Sequence, residues 1–337
     1  MKSLAFVALA PLILASPLGQ TAQEIQVTLH FSKETSQSSI TAWTKDRSAI
    51  VGHSCSSTLA SGAFEAHPIT FEVNENGVGD VVLGGQSSKV QDNPEGSAEV
   101  TCGRMHSPYE TVVNCDITIP GTLELAAISR RDVPECFTTP TTSLSEVLDG
   151  FHQAPAVIPT EQPIEMAAVN ATDNELEERQ ICGVHSSFSV RVGDGNPHQN
   201  PMNVQLSENM DCSRDGCIIS RSESRSLSVS WSASGTAWSW LNAGFAVEAS
   251  IETGNDYQCP GNAGDFFCLW KNQAQTAYTV RNRQVTCAGA RDVGDNFVMW
   301  SPNSQNRGGY YYCVYGRNYC RALGDRWLDT NGRAGGP

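Results

Sequence analysis

The chain has 337 residues, and its 22 Lys and Arg against 36 Asp and Glu give a formal net charge of −14 and a pI near 4.9. This length accommodates two domains of ordinary size. The acidic balance argues against a nucleic-acid-binding protein, because affinity for a phosphate backbone comes largely from basic patches.

The first 22 residues have the organisation of a signal peptide. Lys2 supplies a positive charge, Leu4 to Leu14 is an apolar run interrupted only by Pro11, and small residues follow. That run is too short to span a bilayer, and no later segment reaches the roughly 20 apolar residues of a transmembrane helix. We therefore expect cleavage between Ser16 and Ala22, and a secreted, extracellular protein.

Residues 23–131 have the alternation of β-strands. Every second residue from Ile25 to Phe31 is apolar, and Asn76-Gly77 is a strong hairpin-turn signal between two strand-like runs. Further strand-like runs follow as far as Ile119. This half is predicted to be a small antiparallel β-sandwich.

Residues 132–180 carry ten acidic residues against Arg179 alone. Pro, Thr and small residues dominate, so the segment is predicted to be a disordered acidic linker with a brief helix between Ser145 and Phe151. Its sequon at Asn170 is the only N-glycosylation acceptor sequence in the chain.

Arg130-Arg131 precedes this linker and is a dibasic pair of the type that secretory processing proteases cut. The alternative is a pair of solvated arginines after a strand. A cut after Arg131 leaves three cysteines on one side and puts Cys136 on the other. A disulfide to Cys136 would then keep the pieces joined. Glu178-Arg179-Gln180 is a weaker candidate for cleavage.

The chain has twelve cysteines, and this number is consistent with export. Four lie before the centre of the linker and eight after it. Even numbers in both parts indicate two disulfide frameworks formed in an oxidising compartment. Zinc is the competing interpretation, but no CxxC pair occurs and only His185 and His198 lie among the later eight, so no metal or other cofactor is expected. The cysteines are Cys55, Cys102, Cys115, Cys136, Cys182, Cys212, Cys217, Cys259, Cys268, Cys287, Cys313 and Cys320.

Residues 181–337 contain six of the seven Trp and seven of the eight Tyr, in strand-like runs separated by Gly, Asn, Asp and Pro. They are predicted to form a second β-domain held by disulfides. The expected fold is all-β, with two disulfide-stabilised antiparallel β-sandwich-like domains joined by the acidic linker.

A serine occupies every second position from Ser220 to Ser234, and every second residue from Leu241 to Ile251 is apolar. Both runs have the period of a β-strand, so Ser220 to Ile251 is predicted to be an amphipathic β-hairpin. One interpretation is a half-buried hairpin of a folded sheet. The other is a membrane-inserting hairpin of a toxin, although Arg225 and Glu223 shorten the lipid-compatible part of the first strand.

Pairing Val229 with Val247 in this hairpin also places Cys217 opposite Cys259. Opposed residues of a β-ladder lie within disulfide range, so this register predicts a Cys217–Cys259 bond. The alternative is pairing between sequence neighbours, Cys212 with Cys217 and Cys259 with Cys268.

Signals for an enzyme are weak. The loop Gly193–His198 places Asp194 near a histidine, as general acid/base catalysis requires, but Gly-Asp-Gly-Asn-Pro is also typical of a tight turn. No GxSxG, HExxH or Walker-type motif occurs. No pair for glycoside cleavage can be chosen from the sequence among the available carboxylates Asp211, Asp215, Asp265 and Asp295.

The stretch from Trp300 to Cys313 combines aromatic, amide and arginine side chains, the groups that bind sugar faces and hydroxyls. It is a candidate surface for a glycan or protein, and the alternative is that most of these aromatics are core. The candidate binding residues are Trp300, Asn303, Asn306, Arg307, Tyr310 and Tyr312.

A family resemblance rests on three stretches, Thr253–Cys259, Gln275–Val280 and Tyr312–Cys320. They resemble a group of uncharacterised cysteine-rich secreted proteins of filamentous fungi that are regarded as candidate effectors. The order of signal, domain, dibasic site, linker and cysteine-rich domain is similar to that of killer-toxin precursors. The resemblance implies an interaction or toxin role and no catalytic residues.

The function predicted from the sequence is a secreted, non-enzymatic effector or binding module that acts through its aromatic-rich C-terminal domain. Its partner would be an extracellular protein or glycan, with a membrane surface as a further candidate. The alternative function is a membrane-active toxin that uses the hairpin, and the third is a glycan-active hydrolase.

Overall fold

The structure is a computed structural model. It describes residues 22–92, 100–138, 144–152, 184–221, 226–228, 250–252 and 257–336. The predicted signal peptide, Asn170, Cys182, the second cleavage candidate near Arg179 and the Val229–Val247 pair lie outside these residues.

Strands dominate the described part of the chain, as the alternation predicts. The first half forms β1 Ala22–Ser32, β2 Ser38–Thr44, β3 Ile50–Ser54, β4 Thr58–Leu59, β5 Ile69–Val73, β6 Gly79–Leu83, β7 Gln86–Lys89, β8 Val100–His106 and β9 Glu110–Pro120. One α-helix follows, α1 Leu144–His152. Short 3-10 helices occupy Gly62–Phe64, Arg130–Asp132 and Ser304–Asn306.

The second half forms β10 Val184–Arg191, β11 His198–Gln199, β12 Met202–Gln205, β13 Met210–Asp211, β14 Cys217–Arg221, β15 Ser226–Ser228, β16 Ser250–Glu252, β17 Tyr257–Gly261, β18 Phe266–Gln273, β19 Gln275–Thr286, β20 Gly289–Pro302, β21 Tyr310–Tyr315 and β22 Arg326–Leu328.

The largest sheet has ten antiparallel strands, in the order β22-β12-β18-β21-β8-β9-β1-β2-β3, with β13 pairing at the end of β18. The halves meet where β21 pairs with β8, which places Cys313 opposite His106 and Tyr315 opposite Arg104. The sequence predicted a separate sheet system in each half, whereas the principal sheet is shared. An unpaired strand edge readily accepts another strand, and here β8 of one half accepts β21 of the other.

The four-stranded sheet β4-β5-β6-β7 packs on the N-terminal part of the large sheet. Their common core joins Val27, Leu29 and Ile40 of the large sheet to Phe71 and Val81 of the small one, all 3% exposed or less. The alternating apolar positions from Ile25 onward therefore face this core, as predicted.

Helix α1 shows that part of the predicted disordered linker is ordered. Leu144, Val147, Leu148 and Phe151 recur with the spacing of one helix face and pack against Trp270, Tyr312 and Trp327. The first turn is capped from the other half, because the Leu144 amide donates to Glu110 Oε1 over 2.7 Å. Glu110 Oε2 lies 2.6 Å from His30 Nε2, so the buried pair orients the capping carboxylate.

Gly103 lies at the junction of the halves, where a Cβ would overlap the ring of Tyr319. We expect Gly103→Ala to lower the free energy of unfolding by about 1–3 kcal/mol, because the packed ring must move. Gly336→Ala, in open space, is the matched control and should change stability by less than about 0.5 kcal/mol. Urea denaturation measures both, and equal stabilities would contradict the close approach.

Five disulfides lie within the described residues, and Cys287 is disulfide-bonded as well. The predicted Cys217–Cys259 bond is wrong, because Cys217 bonds Cys212 and Cys259 bonds Cys313. The remaining pairs are Cys55–Cys136, Cys102–Cys115 and Cys268–Cys320. Of the two alternative neighbour pairs, Cys212–Cys217 is correct and Cys259–Cys268 is wrong. So many disulfides are consistent with an extracellular protein.

Candidate functional site

Part of the predicted hairpin Ser220 to Ile251 lies in the described residues, whereas residues 229–249 lie outside them. β14 pairs with β17 from Cys217 opposite Gly261 onward, and β15 pairs with β16 through Leu227 opposite Ile251. The two short ladders have the same register. The register differs by two residues from the predicted one, which placed Leu227 opposite Ala249. A shift of two keeps every residue on its predicted face.

The base of the hairpin, strands β14 and β17, packs with one face against the large sheet. Ile219 and Cys259 of this face are buried with Phe267 and Leu269 of β18. Their neighbours point away, since Ile218 is 53% exposed and the row of serines begins with an exposed residue, Ser220. The Cys259–Cys313 disulfide fixes this base to β21.

The described strands beyond the hairpin base also contact neighbouring elements. Tyr257 of β17 stacks on Tyr311 of β21, with ring centroids 5.5 Å apart, and burial raises the pKa of Tyr257 to about 12. Further along, β16 contacts the 3-10 helix Ser304–Asn306. The Asn306 side chain accepts from the Ala274 amide, which places this contact between β18 and β19.

Three buried polar side chains, Lys271, Gln273 and Gln275, lie at the end of β18 and the start of β19 and are here called the polar row. Each is at most 1% exposed. The ammonium nitrogen of Lys271 and all four amide atoms of the two glutamines lack a hydrogen-bond partner in the described part of the chain. Each buried polar group left unpaired costs about 1–3 kcal/mol, so this is an unfavourable interior.

Lys271 is the titratable residue of the polar row. Burial lowers the pKa of its ammonium to about 8, because the charged form loses hydration. The nearest compensating group is the ring of Tyr311, whose centroid lies 5.7 Å from Nζ. A cation–π contact at this distance compensates only part of the lost hydration.

Three of the six residues of the predicted binding surface are buried, as the alternative of core aromatics predicts for this stretch. Asn303 and Tyr312 are fully buried, and Tyr310 is 7% exposed. Asn303 accepts from Thr276 and donates to Gln199, while the Tyr312 hydroxyl donates to Asn203. These hydrogen bonds stabilise the fold. Trp300 and Asn306 are half-buried, and Arg307 alone of the six is exposed.

The carboxylates considered for catalysis are held by other partners. Asp265 is buried in a bidentate ion pair with Arg104, at 3.0 and 2.8 Å. Asp211 lies opposite Phe266, next to Asp265, and pairs with Arg317 on the surface, and Asp215 accepts from the Ala263 amide in the same turn. Asp194 accepts from the amide of Asn196, as the tight-turn interpretation of that loop predicts.

A groove lies at one end of the N-terminal core, with a volume of about 420 Å³. Phe71 is buried at its floor and Phe31 is half-buried in its wall, while Glu72 and Glu75 line its exposed rim. Serine hydroxyls complete the lining. Its size and mixed chemistry are typical of a site for a small polar ligand.

The described residues include one cluster of metal-ligating type, formed by His53, Cys55 and Cys136. The two sulfurs are joined in a disulfide, so neither is available as a thiolate ligand. His53 Nε2 lies 3.2 Å from Cys136 Sγ, and burial lowers the pKa of this histidine. This cluster is therefore a structural bridge.

The polar row was not predicted from the sequence. Lys271, Gln273 and Gln275 lie in the run FCLWKNQAQTAY, where apolar residues occupy both faces before them. The available signal was a polar residue at every second position across the end of β18 and the start of β19. The buried ion pair of Arg104 was also not predicted, because its partner Asp265 is 161 residues away.

No family model, no curated protein and no solved structure matches this chain. Within the described ranges, no helix has the length and apolar character needed to span a membrane. The geometry itself defines the class: a disulfide-stabilised β-protein in which the two-stranded ladder of β14 and β17 packs on a large sheet shared by both halves.

Proposed function

We propose that the protein is a secreted membrane-active protein whose hairpin leaves its resting position on the large sheet and inserts into a lipid bilayer. The observation that carries this proposal is that the hairpin base packs on β18, the strand that also carries Lys271 and Gln273, which are buried without hydrogen-bond partners.

A mismatch with the polar row is expected from the sequence. Ile219 lies on the buried face of the hairpin base, and the period of two in the sequence predicts the same face for the odd-numbered positions from Leu227 onward. The sequence makes this face apolar from Leu227 to the tip. Apolar groups cannot hydrogen-bond the polar row. Departure of the hairpin would hydrate the row, and lipid would accept the apolar face.

The sequence also supports a hairpin long enough to span. In the sequence, every second residue is apolar or glycine from Leu227 to Ala237 and apolar from Leu241 to Ile251, and Trp238 and Trp240 lie between the two runs. A membrane-spanning β-strand needs about 9–11 residues. Tryptophan is favoured at membrane interfaces, and a face of serines suits a water-filled lumen.

Release of a trapped dye from phosphatidylcholine vesicles, with and without sterol, tests this function. We expect the wild-type protein to release the dye and Trp231→Arg to reduce the rate at least tenfold. A cation on the lipid-facing side near the middle of a span costs about 2–4 kcal/mol.

Ser232→Arg is the matched control, one residue away on the hydroxyl face, and it should retain most of the release. Far-ultraviolet circular dichroism and disulfide mapping establish that both variants fold. Failure of the wild-type protein to release dye, or equal loss in the two variants, would remove the proposal.

The groove in the N-terminal core favours a second candidate, an extracellular binding module. Phe31 and Phe71 offer apolar surface, and Glu72, Glu75 and serine hydroxyls offer hydrogen-bond partners to a hydroxyl-rich ligand such as a glycan. Glycan binding by a protein that leaves vesicles intact would favour this candidate over the first.

A further inference from the structure

The dibasic pair lies in a short exposed loop on the surface of the N-terminal half. Arg130 and Arg131 are both exposed, and so are most of residues 129–135. The pair lies in one turn of 3-10 helix, closed by a single backbone bond from the Asp132 amide to the Ser129 carbonyl. Opening this turn to the extended form that proteases bind breaks few contacts.

Both ends of the loop are fixed to the same half of the protein. On one side the Ile128 amide donates to the Ile50 carbonyl over 2.7 Å. On the other, Cys136 is bonded to Cys55. The Phe137 ring then lies 4.6 Å from the ring of His30. A cut within the loop would therefore leave both new ends attached.

We infer that the chain is hydrolysed after Arg131 by a secretory endoprotease specific for paired basic residues. Water adds across the Arg131–Asp132 amide, so that Arg131 gains a carboxylate and Asp132 gains an α-amino group. The product is one folded protein of two chains, and the first half is not a released prodomain. This inference goes beyond the proposed membrane activity and does not depend on it.

Four features hold the two chains together after the cut. The Cys55–Cys136 bond crosses it covalently. The β8–β21 ladder and the buried Arg104–Asp265 pair join the halves within the large sheet. In addition, Glu110 of the first chain caps helix α1 of the second.

Secretion from a eukaryotic host that has such a protease, followed by gel electrophoresis, tests the inference. The wild-type protein should run as one band without reductant and as two bands with it, and the second chain should begin at Asp132. Arg131→Gln should remain a single chain under reduction, while Arg131→Lys, which keeps the dibasic pair, should again give two. Arg333→Gln removes an isolated exposed arginine and should leave the cut unchanged.

The double variant Cys55→Ser/Cys136→Ser tests whether the sheet alone retains the first chain. We expect its two chains to elute together in native gel filtration and to separate in denaturing gels without reductant. A wild-type protein that remains one chain under reduction would overturn the inference of cleavage. Separation of the variant's chains under native conditions would overturn the account of the shared sheet.

Discussion

Replacing Arg104 with methionine is expected to lower the free energy of unfolding by about 3–5 kcal/mol, the largest loss predicted for this protein. The guanidinium and the Asp265 carboxylate have side chains only 3% and 7% exposed and form two hydrogen bonds. The guanidinium also lies 3.8 Å from the centroid of the Tyr315 ring. Arg104→Met leaves the Asp265 charge buried without its partner. Chemical denaturation measures the change.

The double variant Arg104→Met/Asp265→Leu should recover much of this loss, because an apolar pair leaves no buried charge. Arg317→Met is the matched control, since its pair with Asp211 is exposed and should contribute less than about 1 kcal/mol. Similar losses in Arg104→Met and Arg317→Met would contradict the assignment of the buried pair to the junction of the halves.

Replacing Lys271 with methionine is expected to raise the free energy of unfolding by about 1–4 kcal/mol and to slow dye release. The variant keeps the packing of the side chain and removes an ammonium that is buried without a hydrogen bond. A more stable resting position should delay departure of the hairpin. Lys89→Met, at an exposed strand position, is the control and should change neither property.

The stabilisation by Lys271→Met should depend on pH in a defined window. The folded-state pKa of Lys271 is about 8 and its ordinary value is 10.5, so between these pH values the unfolded state binds more protons. Wild-type stability should therefore rise relative to the variant from pH 8 to 10. Tyr257 has a raised pKa, so above pH 10 its ionisation lowers the stability of the folded state as the pH rises. A pH-independent difference would contradict the burial of the ammonium.

Local patterns predicted the local structure. The period of two predicted the strands of the first half, because alternation is a property of the strand itself. The helix near Ser145 was predicted, but its docking was not. That docking depends on Glu110 and on Trp270 and Trp327, which are distant in sequence.

The sequence did not predict how the two halves combine. Domain assignment relied on composition, and the acidic linker suggested separate bodies, whereas β8 and β21 pair across more than 200 residues. The disulfide of Cys259 was mispredicted for the same reason, because its partner Cys313 belongs to a strand that only the sheet brings near. The aromatic side chains of β21 pack in a core that forms only when β21 pairs with β8 and β18.

The central claim is that the apolar face of the hairpin enters lipid while the hydroxyl face stays in water. The most direct measurement attaches an environment-sensitive fluorophore to single introduced cysteines, Val229→Cys and Ser230→Cys, and records emission with phosphatidylcholine vesicles. We predict a blue shift at position 229 and little change at position 230. Equal emission at both positions, or no change on adding vesicles, would contradict the account.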